Sequence, residues 1–484
     1  MEKINQKSVF SNLIWRFLER SGAQIVTFVV SIILARLLDP AVYGTIALVM
    51  VFTTILQVFV DSGFGTALIQ KKDSDDLDFS TVFYFNIVLC VVLYGAMFLL
   101  APLIANFYKH PELTPVIRVL SIVVLISGVK GIQIAYVSKH LMFRKFFWAT
   151  LIGTVTAAGV GVFMAYKGYG IWALVVQNIV NQAIDTIILW IVVKWRPKWM
   201  FSFKRLKRLF SYGWKLLVSA LLDTIYNEAQ ALIIGRKYST EDLAYYNKGR
   251  QFPQVIVTNI NTSIDSVLLP TLASEQENKE RVKQMTKRAI TVSCFVMMPL
   301  MVGLSVCAES FVHVLLTDKW LPCVFFLRIF CVTFAFYPVH TANLNAMKAM
   351  GRSDYFLILE IIKKGIGMTV LLITMWISVE AMAWSLLFTT VTSLIINSWP
   401  NRKLLGYGIL EQIKDILPSI LLAAFMGAVV YYIGFTNGMG LWTLIKQVVV
   451  GFSIYTLLAV IFKMSPYIYI RNLLVSFVKG RKHE

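Results

Sequence analysis

The sequence predicts an all-α polytopic membrane protein of about 14 transmembrane helices, and three observations predict it. First, the 484 residues are 57% apolar and only 15% charged, where a soluble domain carries roughly 25% charged residues. Second, apolar runs long enough to cross a bilayer, about 20 residues each, follow one another along nearly the whole chain. Third, the loops between them alternate between basic and nearly neutral. Backbone polar groups in lipid must be satisfied internally, so a spanning segment is a helix or part of a closed barrel. These runs are too long and too continuously apolar for barrel strands.

The expected spans, in order, are 9–37, 41–70, 79–107, 113–137, 145–166, 170–194, 208–235, 242–272, 285–317, 321–348, 354–376, 378–400, 411–435 and 440–463. They leave no room for a soluble catalytic domain. The first run is too long and too charged for a cleavable signal and is read as the first span.

A net charge of +20 in a soluble chain would point to nucleic acid. Here the location of the charge excludes that reading. One side of the membrane carries about 29 Lys and Arg and the other about 6, which puts the basic side and both termini in the cytoplasm of a bacterial inner membrane. The densest cluster runs from Lys194 to Arg208, and others lie at Lys279–Arg288 and in the tail. These clusters also attract anionic headgroups of membrane lipids. One loop fits poorly, because Lys71 and Lys72 are outweighed by Asp73, Asp75, Asp76 and Asp78. Asp73-Ser74-Asp75 looks like the metal-binding acid pair of glycosyltransferases, but it has no nucleotide-binding domain beside it and reads as a solvated turn. The five cysteines lie in or beside spans with no paired spacing and read as core residues.

The basic segment 195–207 divides the chain. Residues 1–194 form six spans, and 208–400 form six more. Trp15-Arg16 corresponds to Trp214-Lys215, and Ala35-Arg36 to Gly235-Arg236. The turn Asp39–Gly44 corresponds to Ser239–Ala244. Both copies start on the same side, which makes them parallel repeats. Such repeats form two bundles around a central site and work by alternating access. The helices in 401–463 are an appended pair, and 464–484 is a basic tail.

A charge at bilayer depth costs at least about 2.5–3.5 kcal/mol, so such residues face a cavity or a partner. They concentrate in spans 1, 2, 7, 8 and 11. Arg16 and Arg20 share one face of span 1. Lys215 lies about seven residues into span 7, roughly 10 Å deep at 1.5 Å per residue. Lys364 lies at similar depth in span 11, where Glu360 is its i,i+4 neighbour, and Arg250 lies near the outer end of span 8. These five cations are candidate ligands for a phosphate-bearing substrate, because arginine offers paired bonds to phosphate oxygens and lysine a point charge. The intramembrane acids Asp61, Asp223, Glu228 and Asp265 are candidates for H⁺ or Na⁺ coupling. Pro253, Pro299 and Pro338 allow kinks. No metal pattern and no Walker motif appear, so no cofactor is expected.

With Ala35-Arg36-Leu37-Leu38-Asp39-Pro40, Tyr43-Gly44, Asp61–Leu68, Tyr245–Arg250 and Ala349–Arg352 on view, the chain resembles a known family. It is similar to the polysaccharide flippases of the multidrug/oligosaccharidyl-lipid/polysaccharide exporter superfamily, in the colanic-acid and teichuronic-acid exporter branch. The resemblance implies a V-shaped alternating-access bundle that moves an undecaprenyl-pyrophosphate-linked oligosaccharide to the outer leaflet. It implies a cationic cavity, with that role carried to Arg16, Lys215, Arg250 and Asp61. A polysaccharide polymerase and glycosyltransferases are the implied partners. The competing readings are a multidrug exporter of the same superfamily and a membrane-embedded glycan polymerase or ligase. Net cations in the spans disfavour the first, and short outer loops disfavour the second.

Overall fold

A computed structural model describes residues 6–61, 64–71 and 73–480, with side chains from residue 22 onward except at 66, 70, 212, 353, 474 and 477–480. Among the described residues the long elements are all helices. In chain order they are α1 (Gln6–Leu37), α2 (Pro40–Asp61), α3 (Phe64–Gln70), α4 (Asp76–Tyr108), α5 (Leu113–Leu120), α6 (Ile122–Lys139), α7 (Phe143–Tyr166), α8 (Ile171–Val192), α9 (Phe203–Lys237) and α10 (Thr240–Ala273). There follow α11 (Lys279–Val306), α12 (Ala308–Leu316), α13 (Cys323–Ala335), α14 (Tyr337–Ala349), α15 (Ser353–Thr374), α16 (Val379–Leu405), α17 (Ile409–Asn437), α18 (Leu441–Ile461) and α19 (Ser465–Gly480).

Eleven segments among the described residues are long and apolar enough to cross a membrane, with α5–α6 and α13–α14 each counted as one. The protein is therefore a multi-pass membrane protein. Outside that set, besides α1, stand two long helices, α9 with 35 residues and α15 with 22. Both are long enough at 1.5 Å per residue. What removes them is charge: α9 carries Lys215, Asp223 and Glu228, and α15 carries Glu360, Lys363 and Lys364.

Several expected spans are broken in ways that apolarity alone does not reveal. The run 41–70 ends its first helix at Asp61 and resumes at Phe64. Segment 113–137 divides at Ser121, 285–317 at Cys307, and 321–348 at Phe336. The last break has a local cause, because Pro338 lies in the first turn of α14, where a missing N–H costs nothing. Pro253 and Pro299 instead lie inside the unbroken helices α10 and α11. The basic tail contains a helix, α19. All five cysteines are free and buried.

The chain divides into two compact units, Met1–Ala244 and Tyr245–Glu484, so the boundary falls within α10. In the first unit α7 packs on α1 and α8, α4 on α6, and α2 on α9. Close approach of α2 to the α9–α10 turn requires Gly44, where a Cβ would lie 1.6 Å from the Thr240 carbonyl oxygen. The two tight turns are closed in different ways. Pro40 opens α2 while the Asp39 carbonyl accepts from Val42. Ser239 Oγ accepts from the Asp242 N–H, whose carboxylate accepts from the Ser239 N–H, a capping box.

In the second unit α11 packs on α13, α14 and α17, and α17 pairs with α18. Gly249 lets α10 meet α13, where a Cβ would lie 2.7 Å from the Leu327 nitrogen. Tyr455 of α18 donates to the Phe295 carbonyl of α11 at 2.8 Å. A buried amide network joins α14, α16 and α17: Asn343 donates to Gln412 at 2.8 Å, Gln412 returns a bond at 2.9 Å, and Asn401 donates to Asn343 at 2.6 Å.

Candidate functional site

The candidate cations occupy different surroundings. Arg16 and Arg20 belong to α1, but their side chains lie outside the described residues. Lys215 is exposed on α9 in the first unit. Arg250 and Lys364 are half-buried on α10 and α15 in the second. On α15, Glu360 holds Lys363, its i+3 neighbour, at 2.5 Å.

Three of the four candidate acids are met by an amide. Asp61 accepts from Gln57 at 3.0 Å, one turn earlier on α2. Asp223 accepts from Asn227 at 3.2 Å along α9. Asp265 accepts from Asn345 of α14 at 2.6 Å. Glu228 is half-buried on α9.

The most deeply held charge pair was not on the sequence-derived roster. Lys130 on α6 lies 2.5 Å from the Asp185 carboxylate on α8, with side chains only 13% and 6% exposed. The same ammonium donates to Gln182 at 2.8 Å, and Gln182 donates to Ser127 at 3.1 Å. Its field also reaches Asp61. Helix geometry creates this cluster: Gln182 and Asp185 are i,i+3 on α8, and Ser127 and Lys130 are i,i+3 on α6. Lone ionic residues in the middle of spans 4 and 6 were the signal that could have found it.

A second charged assembly corrects the reading of Asp73-Ser74-Asp75 as a solvated turn. Asp75 caps α4 by accepting from the Asp78 N–H, and its carboxylate is 2.5 Å from the Arg205 guanidinium. Asp78 is fully buried and pairs with Lys71 and with Arg205. Asp76 takes Lys198 at 2.6 Å and the Trp195 indole N–H at 2.9 Å. Lys139 donates to Ser74 and to the Lys71 carbonyl. The Lys198 and Ser202 backbone amides donate to Ser80 and Thr81 of α4. The Arg205 bond holds the Asp75 carboxyl below the usual carboxylate range. The acids of this loop are therefore the anchor for the basic segment.

Spanning helices with charged residues held between them, and no strand among the described residues, define a helical membrane protein. The fold agrees. The lipid II flippase MurJ in its inward closed conformation superposes with a TM-score of 0.77 at 15% identity, covering 94% of this chain and 98% of that one. An inward-facing multidrug resistance MATE transporter of the MOP superfamily gives 0.63 at 12% identity, covering 79% of this chain and 94% of that one.

Residues 33–325 match the family described as "Polysaccharide biosynthesis protein", and the chain belongs to that family. The teichuronic acid biosynthesis protein TuaB of Bacillus subtilis (strain 168) is 25% identical over 386 residues, covering 78% of this chain and 79% of that protein. The succinoglycan biosynthesis transport protein ExoT of Rhizobium meliloti (strain 1021) is 24% identical over 317 residues, covering 66% of this chain and 64% of that protein. The resemblance drawn from the sequence motifs is met by these relatives.

Proposed function

We propose that this protein is a flippase that carries an undecaprenyl-pyrophosphate-linked oligosaccharide from the cytoplasmic to the outer leaflet of the bacterial inner membrane. It does so as two parallel six-helix repeats with an appended pair, fourteen spans in all, by alternating access around a cationic cavity. Both termini face the cytoplasm. The observation that carries the reading is the polar character of α9 and α15 in a chain of this family. A span too charged for lipid is tolerated where it lines water. Arg16, Arg20, Lys215, Arg250 and Lys364 then receive the pyrophosphate, and Asp61, Asp223, Glu228 or Asp265 couples H⁺ or Na⁺. The relatives named for teichuronic acid and succinoglycan biosynthesis support a glycan cargo. Polymerase and glycosyltransferases act on the same glycan before and after it crosses.

The test is the fate of the lipid-linked glycan in cells lacking the protein. Trapping of the glycan on the cytoplasmic side, with loss of surface polymer, is expected. Arg16→Ala and Lys215→Ala at normal protein level are expected to reproduce the block. Normal export by both variants would sink the cationic-cavity mechanism, and normal glycan in the deletion strain would sink the flippase reading itself.

A further inference from the structure

A cavity of about 560 Å³ in the second unit lies apart from the transport residues. One wall is the N-terminal part of α11, which contributes Arg281, Lys287 and Arg288. The other is the start of α19, which contributes Pro466 and Tyr469. Arg281 and Arg288 are seven residues apart and so share a helix face, with Met285 and Val292 between and beyond them. The cavity thus combines cations with apolar walls.

Its position is set by the neighbouring helices. The basic end of α11 leads into an apolar span, and α19 follows the spanning helix α18 after a three-residue link. Leu473 and Val475 of α19 are 48% and 45% exposed in a helix that also bears Arg471 and Lys479. A short amphipathic helix of this kind lies in the headgroup plane with its apolar side toward the acyl chains. The cavity is then at headgroup level.

The charges are unequal in their commitments. Lys287 lies 2.8 Å from Asp415, and Arg281 lies 3.3 Å from Glu275. Arg288 stacks on the Tyr469 ring at 5.2 Å. Among the described residues it has no carboxylate within ion-pair distance. Two of the three cations are neutralised, which leaves one net positive charge. A phosphodiester carries one negative charge. Its glycerol and first acyl carbons match the Met285, Val292 and Pro466 walls.

We propose that this cavity binds the phosphodiester headgroup of an anionic glycerophospholipid, with Arg288 as its principal ligand, and so seats α19 on α11. Arginine suits the task because its planar fork bonds two phosphate oxygens at once. The site is separate from the cargo path of the transport reading and does not depend on it.

The test is lipid retention by the full-length protein, purified in detergent and titrated with phosphatidylglycerol or phosphatidylcholine under native mass spectrometry. Phosphatidylglycerol is expected to bind at one saturable site, and phosphatidylcholine is not. Arg288→Gln is expected to weaken binding about tenfold, the loss of one charge-assisted phosphate contact. Tyr469→Leu should weaken it too, since the ring positions the guanidinium. Lys414→Gln, an exposed cation on α17 that does not line the cavity, should change nothing. Unchanged melting temperatures of the variants would show that they fold. Equal binding of the two lipids, or equal effects of Arg288→Gln and Lys414→Gln, would overturn the proposal. Displacement of the lipid by millimolar inorganic phosphate would assign the site to free phosphate and overturn the lipid assignment.

Discussion

Asp185→Ala is the sharpest perturbation available in the first unit. It leaves the Lys130 ammonium, 13% exposed, with Gln182 as its remaining close polar neighbour. Removing one partner of a buried ion pair costs about 3–5 kcal/mol, because the remaining charge stays desolvated. Lys130→Met strands the Asp185 carboxylate in the same way and is expected to cost a similar amount. In the double variant neither charge remains. The loss should then fall short of the sum of the single losses by about 2–3 kcal/mol, at the upper end of measured coupling energies.

The assay is thermal unfolding of the purified protein. A unit of roughly 150–250 residues shifts its midpoint by about 2–4 °C per kcal/mol, and the first unit spans Met1–Ala244. Asp185→Ala should therefore lower the midpoint by roughly 6–20 °C. Strict additivity of the two single variants, within about 0.5 kcal/mol, would refute the argument. So would a midpoint for Asp185→Ala equal to that of the parent.

Two further predictions test the packing and the charged loop. Gly44→Ala should abolish the folded protein or greatly reduce its yield, because the new Cβ overlaps the backbone carbonyl of Thr240; Gly95→Ala, with nothing within 4 Å, should be silent. Yield and melting temperature of the two variants decide it. The second concerns pH. Asp75 has its carboxyl held below its ordinary value by Arg205, and Asp76 beside it pairs with Lys198. A depressed folded pKa gives stability that is present above the unfolded value, about 3.9, and is lost as pH falls through the folded value. Both pairs are substantially exposed, so the effect is local. Protection of the Lys198 and Ser202 amides from hydrogen exchange, corrected for intrinsic rate, should persist at pH 5 and fall below about pH 4. Constant protection across that range would count against the anchoring role.

The parts of this protein that the sequence discloses are those that depend on one helix at a time. Apolar length is such a property, and so is the burial of cysteine in a span. Charge density is another, and it marks α9 and α15. The features that escaped depend on pairs of distant residues. Lys130 and Asp185 are 55 positions apart, and no periodicity links them. The breaks at Ser121 and Cys307 carry no proline, and the apolar pattern runs through them. The motif residues taught a similar lesson. Gly44 and Gly249 carried part of the family resemblance, and both stand where two backbones nearly touch. Their side-chain-free surface is a requirement of packing. Of the four acids that count as a misfit in the charge pattern, Asp75, Asp76 and Asp78 find partners among the basic residues of a segment more than 100 positions later.

That anchoring has a consequence for motion. A basic segment between two bundles invites the role of a flexible tether, and alternating access needs a place to flex. Here the segment is tied to the first unit by Asp75–Arg205, Asp76–Lys198 and two backbone bonds to Ser80 and Thr81. The division between compact units falls later, at Ala244–Tyr245. The transport reading therefore expects the segment to travel with the first unit, with the hinge C-terminal to it. Asp76→Cys with Lys198→Cys, joined by a short bismaleimide, tests this directly. The five native cysteines are buried, so background labelling of the folded protein is low. Export of glycan at the rate of the uncrosslinked variant is the expected result. If the crosslink stops export while either single cysteine variant treated alike does not, the segment itself is the hinge, and the anchored linker must open in each cycle.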